Sequence, residues 1–532
     1  MDSFFHCGDI DNKFQSIIKL CQTSIRKKIK GFIVFDRTIL VDRIVQILKE
    51  RTRNAYIILC GNYINIEGVA PDGNDNLLLN GISVNQTTGE VTIGGKVRLK
   101  LTVVFFYVWS QLLIVNILGL FSGLIFRDKK LTMPGTIFYG MVLNQILHDG
   151  TDKRFKDYCD NGPIKPLVDA TTIFVQEVKN NGSYSSKDLV YTNNPISKLL
   201  YESNLTVKER IAVLFLQIHY ALAYIPQLIN EPLMSLLAKD IAVCPVVIAL
   251  DKFNKVKNIL LTNSSLYFQP LWMRGPSEKK FSTHLILYSQ NDKYAVYKND
   301  KTKVSSAGVS SMFADEYWVW TESRKNELEA LDNTKKVHVV GPILWYRKGE
   351  CSIVKKEAGE IRIAIFDIVP IRPNERNKIG IFRNQYITEN MILFIKHIVS
   401  VIEEIKIDTG RNIKLYIKHK RPHSNIHDER YLDYVQELIE IDTLKLVPND
   451  INLYSFLDSC DLTINATYTS VAYISSYLKK HAVFFDPVDE IHPVYDPSPY
   501  ISFASNKGEL LELVKKNIFD NDLSVIQQLA NP

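Results

Sequence analysis

The sequence has few cysteines, and none of them are spaced for a metal or redox pair. Seven cysteines are scattered over 532 residues, and no C-x-x-C pair occurs. Several lie in apolar runs, which favours a reduced, cytoplasmic compartment. The segment MDSFFHCGDI has no basic region leading into an apolar stretch, so no secretory signal peptide is predicted there.

The chain also has no strong charge excess, internal repeat or low-complexity tract. A net charge of +6 spread over this length suits an anionic membrane surface or a phosphorylated substrate but does not indicate nucleic acid. His423 and His427 are spaced like metal ligands on a helix but have no third partner in sequence, so no metal site is predicted. The length predicts two domains.

One segment is too apolar for an ordinary surface element. Residues 101–126 carry no charge, and basic residues flank them on both sides. A run of this length is long enough to cross a bilayer. Three interpretations stay open: a helix or helical hairpin that dips into the membrane surface, a true span, or a buried core helix.

The first third of the chain predicts mixed structure. GFIVFD (31–36) and AYIILC (55–60) read as strands around an amphipathic helix at 37–51. Residues 80–97 alternate around a Thr-Thr-Gly turn and predict a β-hairpin. Residues 149–187 read as polar and irregular. Thr206 and Glu209 are spaced as a capping box that begins a helix.

From Val246 onward, short apolar strands alternate with polar ends and helices. In the first half the predicted strands are Val246–Leu250, Asn258–Leu261, His284–Tyr288, Tyr317–Trp320 and Val337–Val340. In the second half they are IRIAIFD, IKLYIKHK, LKLVP, DLTINA and HAVFFDP, separated by helices. Such alternation predicts parallel sheets covered by helices, with ligands beyond the carboxyl ends of the strands.

The domain boundaries follow from the charged, aperiodic stretch at 346–360, which predicts a linker. Residues 1–345 are then an N-terminal Rossmann-like acceptor domain that carries the hairpin and the apolar segment. Residues 361–532 are a C-terminal Rossmann-like domain that binds the nucleotide-sugar. The fold class is α/β, with two Rossmann-like domains that face a cleft.

The turn at 466–470 is the strongest candidate site. The strand DLTINA leads directly into a helix there, so backbone N–H groups and the positive helix end predict an anion site. Thr467, Thr469 and Ser470 add hydroxyl donors, and Asp486 ends the next strand, where it can reach a ribose or sugar hydroxyl. The alternative is that Thr469 and Ser470 merely cap the helix.

A basic cluster and several carboxylates complete the set. Lys418, His419, Lys420 and Arg421 gather at a strand end and suit a phosphate, unless they form a solvated loop. Four acids at predicted strand ends are candidates for deprotonating an acceptor hydroxyl or attacking the sugar: Asp251, Asp292, Glu322 and Asp367. Asp367 is equally consistent with a ribose contact or a loop cap.

Several of these blocks resemble a known family. The crossover VHVVGPILW is similar to the end of the first domain in GT-B glycosyltransferases, and the block from Leu453 to Pro487 resembles bacterial surface-polysaccharide glycosyltransferases. TNSSLYFQPLW, EYWVW and IAIFDIVPIRP take part in the same resemblance. The nearest relatives it suggests are the retaining β-Kdo transferases of capsule and lipopolysaccharide synthesis. The chain departs from them at Lys420-Arg421-Pro422, where such enzymes often have His-Pro.

The resemblance implies a glycosyltransferase that needs no cofactor or metal and uses a CMP-Kdo-like or UDP-linked donor. Its expected partners are the nucleotide-sugar, a lipid-linked or growing glycan acceptor and the membrane surface, without nucleic acid. Its expected place is the cytoplasmic face of the inner membrane, peripheral or monotopic. The alternatives are a CDP-polyol phosphotransferase that makes teichoic-acid-like polymers, and a non-catalytic GT-B scaffold of a polysaccharide-assembly complex.

Overall fold

The structure is a computed structural model of the whole chain. It describes residues 19–530 with gaps at 33–34, 36, 46, 49–70, 73–75, 80–81, 86–87, 89, 126–133, 140–158, 161, 170, 177–184, 187–188, 193, 263–269, 275–278, 288–295, 299–313, 332–335, 343–355, 374–386, 420–422, 450 and 494–497. The predicted strand at 55–60 and most of the predicted linker lie outside the described residues.

The first half is built on an eight-stranded sheet. Its strands are β5 (Gly135–Tyr139), β6 (Thr172–Gln176), β7 (Ser185–Ser186), β8 (Leu189–Thr192), β9 (Val256–Thr262), β10 (Ser282–Ile286), β12 (Glu316–Val319) and β13 (Lys336–Val339). Their order is β13-β12-β10-β9-β5-β6-β8-β7, and all pairs are parallel except β7 with β8.

The second half is built on a six-stranded sheet that is parallel throughout. Its strands are β14 (Ile361–Phe366), β15 (Ile413–Lys418), β16 (Leu444–Leu446), β17 (Leu462–Ala466), β18 (His481–Phe485) and β20 (Ile501–Ala504). Their order is β16-β15-β14-β17-β18-β20. The two parallel α/β sheets confirm the predicted GT-B-like fold of two Rossmann-like halves.

Two smaller sheets complete the β structure. An antiparallel meander comprises β1 (Pro71–Asp72), β2 (Asn76–Leu79), β3 (Ile82–Asn85) and β4 (Val91–Ile93), and its last two strands confirm the predicted hairpin. The pair β11 (Val296–Tyr297) and β19 (Ile491–His492) joins a loop of the first half to a loop of the second.

Helices cover both sheets. Those with both ends described are α1 (Gly95–Ile125), α2 (Lys165–Val168), α3 (Pro195–Glu202), α4 (Val207–Asn230), α5 (Ala238–Lys252), α6 (Leu271–Arg274), α7 (Glu322–Leu331), α8 (Thr388–Thr409), α9 (Glu429–Glu440), α10 (Leu453–Asp458), α11 (Ser470–Tyr477) and α12 (Lys507–Ala530), with a 3-10 helix at Pro232–Leu237 before α5. Further helical residues lie at 19–28, 37–45 and 47–48. The predicted capping box at Thr206 and Glu209 begins α4.

Gly341, in the crossover segment between the halves, lies close to the second half. Its φ of 74° lies in the left-handed region, and a Cβ there would meet the ring of Tyr477, at the end of α11, at 3.3 Å. Glycine avoids both the strain and the clash. One buried apolar cluster includes residues from both sheets, among them Trp318 and Trp320 of the first half and Phe366 and Tyr468 of the second.

The predicted strand Val246–Leu250 is wrong, because these residues lie in α5. Almost all of α5 is buried, and its last turn places Asp251 so that the carboxylate accepts the backbone N–H groups of Lys280 and Phe281. A short apolar run looks the same in a buried strand and a buried helix, so periodicity cannot separate them.

Two further predictions in the first half are wrong. Phe32 and Phe35 exchange both backbone hydrogen bonds with each other, which an extended strand over 31–36 does not allow, while residues 33, 34 and 36 lie outside the described residues. The segment 149–187 is not wholly irregular, because it contains β6, which lies inside the first sheet between β5 and β8. The amphipathic helix that begins at Arg37 is present over 37–45 and 47–48.

The apolar segment 101–126 forms most of α1, and this helix is not a core helix. Only 22% of its most apolar stretch is buried, against 89% for that of the segment Pro232–Lys252, which contains α5. Three described helices are apolar and long enough to cross a membrane: Gly95–Phe121, Val207–Asn230 and Pro232–Lys252.

Candidate functional site

The candidate site lies at the carboxyl edge of the second sheet, where four neighbouring strands end side by side. In the order β15-β14-β17-β18, the residues that follow the strands are His419, Asp367, Thr467 and Asp486. The register pairs Phe366 with Lys418 and with Asn465, so the strands end at nearly the same level. In parallel α/β sheets this edge is the usual place for a ligand.

His419 and Asp367 form a buried pair at this edge. His419 Nδ1 lies 2.6 Å from Asp367 Oδ2, and both side chains are almost fully buried. The carboxylate accepts a hydrogen bond from Nδ1–H, which holds His419 in the tautomer whose Nε2 can accept a proton. The arrangement orients an imidazole for proton transfer or for hydrogen bonding to an anion.

Tyr431 supports this pair from α9. Its hydroxyl donates to the same Asp367 Oδ2 at 2.6 Å, and burial beside that carboxylate raises the pKa of Tyr431. The ring of His423 lies 4.8 Å from that of His419, and lost hydration together with the nearby imidazole lowers the pKa of His423. No group of three metal-binding side chains occurs in the part of the chain that the structure describes.

The turn between β17 and α11 is the second component. Thr469 is the residue that precedes α11, yet its side chain makes no capping hydrogen bond. Its Oγ1 is buried and has no hydrogen-bond partner among the described residues. A buried hydroxyl without a partner is costly, so such groups commonly mark a ligand or an ordered water. The structure therefore does not support the alternative that Thr469 is only a helix cap.

A recess opens beside this turn. It measures about 340 Å³ including the space at its mouth, and its walls include Ala466, Thr467, Asp486 and Glu490. The first turn of α8 closes another side with Asn390 and neighbouring residues. Two helices, the long α8 and the eight-residue α11, thus begin at the edge that carries the recess, and the free N–H groups of helix starts favour anions.

Asp486 shapes the loop that borders the recess. Its carboxylate accepts the backbone N–H groups of Val488, Glu490 and Ile491 at 3.3, 2.8 and 2.9 Å. Burial raises the pKa of Asp486 and also that of Glu490, which lies beside it. These bonds hold the loop that pairs with β11 of the first half, so Asp486 has a structural task whether or not it also contacts a sugar.

A match to a protein family indicates what kind of protein carries this edge of the second sheet. The model of polysaccharide biosynthesis PFTS motif proteins matches residues 220–514, which is more than half of the chain and includes every site residue above. The chain belongs to this family. Within the match, Thr467-Tyr468-Thr469-Ser470 is the segment nearest to the letters P-F-T-S, because it keeps the Thr, the Ser and an aromatic residue before them.

Solved structures resemble this PFTS-motif protein only distantly. A UDP-GlcNAc 2-epimerase from Neisseria meningitidis is 11% identical with a TM-score of 0.36, covering 72% of this chain and 90% of its own. The wall teichoic acid polymerase TagF is 10% identical with a TM-score of 0.37, covering 78% and 87%. The trehalose 6-phosphate synthase of Burkholderia multivorans is 8% identical with a TM-score of 0.38, covering 73% and 91%.

These similarities carry no information on substrate or reaction. No curated protein matches the sequence of this PFTS-motif protein significantly. The fold rests on the two sheets themselves, and the role in polysaccharide biosynthesis rests on the family.

The structure brings together some of the residues predicted to form the site and leaves others apart. Asp367, His419, Thr467, Thr469, Ser470 and Asp486 all lie at the edge just described. Lys418 is half-buried as the last residue of β15. Glu322 instead begins α7 in the first half, with a largely exposed side chain that pairs with Lys325 of the same helix. Asp292, Lys420 and Arg421 lie outside the described residues.

Sequence reasoning missed Tyr431 and Glu490. Tyr431 occupies a buried position of an amphipathic helix, which by itself indicates packing rather than a hydrogen bond to Asp367. Glu490 follows the predicted Asp486-Pro487 strand end by three residues, and that proximity was the one signal available.

Proposed function

We propose that this PFTS-motif protein is a glycosyltransferase that moves a sugar from a nucleotide-activated donor to a lipid-linked or growing surface polysaccharide. The donor class is CMP-Kdo-like or UDP-linked, and the enzyme works at the cytoplasmic face of the membrane without a cofactor. The observation that carries the proposal is that a carboxylate-oriented histidine and a buried hydroxyl without a hydrogen-bond partner among the described residues lie at the same sheet edge. The family supports the role in polysaccharide synthesis.

In this proposal the turn at 466–470 receives the donor phosphate. The N–H groups at the start of α11 and the hydroxyls of Thr467, Thr469 and Ser470 donate to the phosphate oxygens. The recess beside Ala466 gives the ligand room to approach the backbone. Lys418 adds positive charge at the end of β15, two strands away, and Lys420 and Arg421 follow it in the sequence.

His419 is the proposed base. When an acceptor hydroxyl attacks the anomeric carbon, the bond to the donor phosphate breaks and the hydroxyl proton passes to His419 Nε2. Asp367 fixes the imidazole and stabilises the imidazolium that forms, and Tyr431 holds Asp367 in turn. Asp367 is therefore a positioning residue for His419 in this account.

The test compares two histidine variants in a transfer assay that measures released nucleotide. His419→Gln should lower turnover by at least a hundredfold, since general-base catalysis contributes about 10²–10⁴ in rate. His338→Gln is the matched control, because His338 also pairs with a carboxylate, Glu316, at 2.9 Å, but in the first half. If His419→Gln is as active as His338→Gln and the wild type, His419 is not the base.

The same reaction separates the two rival functions when the phosphate content of the product is measured together with the released nucleotide. Phosphate that appears in the polymer product would identify a polyol phosphotransferase, whereas a product without phosphate is expected for sugar transfer. A scaffold would release no nucleotide with any donor.

A further inference from the structure

The helices α1 and α4 turn a row of large apolar side chains away from the protein. On α1 the exposed row is Val103, Phe106, Tyr107, Ile114, Leu118 and Phe121. Along the row, neighbouring positions are three, four or seven residues apart, except for the adjacent pair Phe106 and Tyr107, so the side chains lie on one face of the helix. Val103 and Tyr107 are 60% and 61% exposed, which is far more than a packed helix allows.

The second helix carries a matching row. On α4 it consists of Val207, Ile211, Phe215, Ile218, Leu222 and Ile229, with Phe215 and Leu222 at 68% and 66% exposure. The helices run antiparallel, since Trp109 Nε1 donates to the carbonyl of Gln217 at 3.1 Å and Asn116 Nδ2 to that of Arg210 at 3.0 Å. Together the two rows make an apolar face on the order of 30 Å long.

The polarity of this helix pair is inverted relative to a surface exposed to water. Asn116 and Gln217 are completely buried, and Arg210 is 1% exposed. Arg210 donates to the carbonyls of Leu200, Tyr201 and Ser203 at the end of α3. Polar groups inside and large apolar groups outside are the arrangement expected of helices that face hydrocarbon.

The face has few polar groups for a protein interface: between its ends, the exposed polar side chains apart from Tyr107 are Gln111 on α1 and His219 on α4. Neither helix has an Asp, Glu, Lys or Arg between Leu101 and Ile125 or between Ile211 and Asn230. Protein interfaces carry about one hydrogen bond per 100–200 Å², supplied by a polar rim. By contrast, exposed lysines lie at the ends of the face, with Lys96 and Lys100 at one end and Lys208 at the other. This distribution suits acyl chains under the face and anionic headgroups around its ends.

The packing of the inner faces decides between lying on the membrane and spanning it. Phe105 and Leu112 of α1 and Val213, Tyr220 and Leu228 of α4 belong to the same buried cluster as α5 and strand β9. Both helices are therefore attached to the globular first half along their length. A helix pair that spanned the bilayer would have to leave this core, which would separate Arg210 from the carbonyl groups at the end of α3 that accept its hydrogen bonds.

We propose that α1 and α4 form a monotopic membrane-binding surface, with their shared apolar face inserted into one leaflet and the helices parallel to the membrane plane. The helix α5 lies beneath them and does not contact lipid. This inference rests on the helix pair and is independent of the proposed sugar transfer.

The test is co-sedimentation of the full-length protein with vesicles of phosphatidylcholine alone or with added phosphatidylglycerol. The face variant is Leu118→Glu with Phe215→Glu, and the control is Ile407→Glu with Ile441→Glu, two apolar residues of the second half that are 83% and 70% exposed. The wild type and the control should bind, and binding should be stronger with phosphatidylglycerol. The face variant should bind at least tenfold less, because a charge in the acyl region is strongly unfavourable.

A second measurement gives the orientation. A fluorophore attached at a cysteine in place of Val103, Ile114 or Phe121 should be quenched by shallow lipid-borne quenchers to the same degree at all three positions. A deep middle position between two shallow ends would show a span and overturn the monotopic arrangement.

Two other outcomes would overturn the proposal. One is that the wild type binds neither vesicle. The other is a soluble dimer, seen by analytical ultracentrifugation without detergent, that the face variant abolishes and that added vesicles do not dissociate. Nucleotide binding by the face variant serves as the folding control. If the wild type does not bind nucleotide either, that result counts against the proposed function and not against this surface.

Discussion

Replacing Thr469 by valine should move stability and ligand binding in opposite directions. The two side chains have nearly the same shape, so the change removes only the hydroxyl group. Thr469 Oγ1 is buried without a partner among the described residues. Desolvating an unpaired polar group costs about 1–3 kcal/mol, so removing it should leave stability unchanged or raise it by up to about 1 kcal/mol.

Binding should respond in the other direction. If the hydroxyl donates to a donor phosphate, the lost bond to a charged group is worth about 1.5–3 kcal/mol, which is a ten- to hundredfold weaker affinity. Thermal unfolding gives the first quantity and isothermal titration with CMP, CDP or UDP the second. The matched control is Thr463→Val in β17, whose hydroxyl contacts Ser475 at 3.2 Å and Asn465 at 2.9 Å. That variant should lose about 1–2 kcal/mol of stability because it leaves buried partners unpaired.

The reasoning fails if Thr469→Val unfolds at a lower temperature and binds nucleotide as the wild type does. That combination would mean that the hydroxyl stabilises the start of α11 and that the ligand lies elsewhere.

Three further predictions concern charge, pH and close packing. Lys418→Ala should weaken nucleotide binding by about tenfold if the ammonium group contacts phosphate, and an unchanged affinity by titration would remove it from the site. Burial lowers the pKa of His284 to about 4, so the unfolded chain takes up a proton first as pH falls, and wild-type stability should drop by about 2 kcal/mol from pH 7 to pH 5. Chemical denaturation of His284→Gln should show a flatter pH profile over that interval, and an identical profile would contradict the assignment. Gly119→Ala would place a Cβ 2.1 Å from Arg210 Nη1 and should destabilise by about 2–4 kcal/mol, whereas Gly95→Ala, which meets nothing within 4 Å, should not change the midpoint of thermal unfolding.

The second half could be predicted from sequence because each of its strands is a short apolar run followed by a polar turn. Its five predicted strands correspond to β14 to β18, and helices such as α8 and α9 separate them as predicted. Local pattern and tertiary structure agree there, as in any sheet covered by helices on both faces. The first half was harder because β6 lies in a polar stretch and α5 is apolar all round, so periodicity indicates neither correctly.

The site could be predicted only as far as the ends of the strands. The sequence places His419 after one strand and Asp367 after another, and the parallel order then brings them together. That Asp367 also accepts the hydroxyl of Tyr431, or that Asp486 anchors three N–H groups, depends on contacts between distant elements. The outward row of α4 was missed for the same reason, since an amphipathic helix looks alike whether its apolar face meets a core or a membrane.

Binding of nucleotide at the start of α11 is the most direct test of the account. Isothermal titration of the wild type with CMP, CDP, UDP and GDP should show one nucleotide bound with a clear preference. Ser470→Glu should lose that binding, because a carboxylate at the half-exposed first residue of α11 repels the phosphate yet suits the positive helix end and leaves the fold intact. A folded Ser470→Glu protein, checked by circular dichroism, that binds nucleotide as tightly as the wild type would contradict the account.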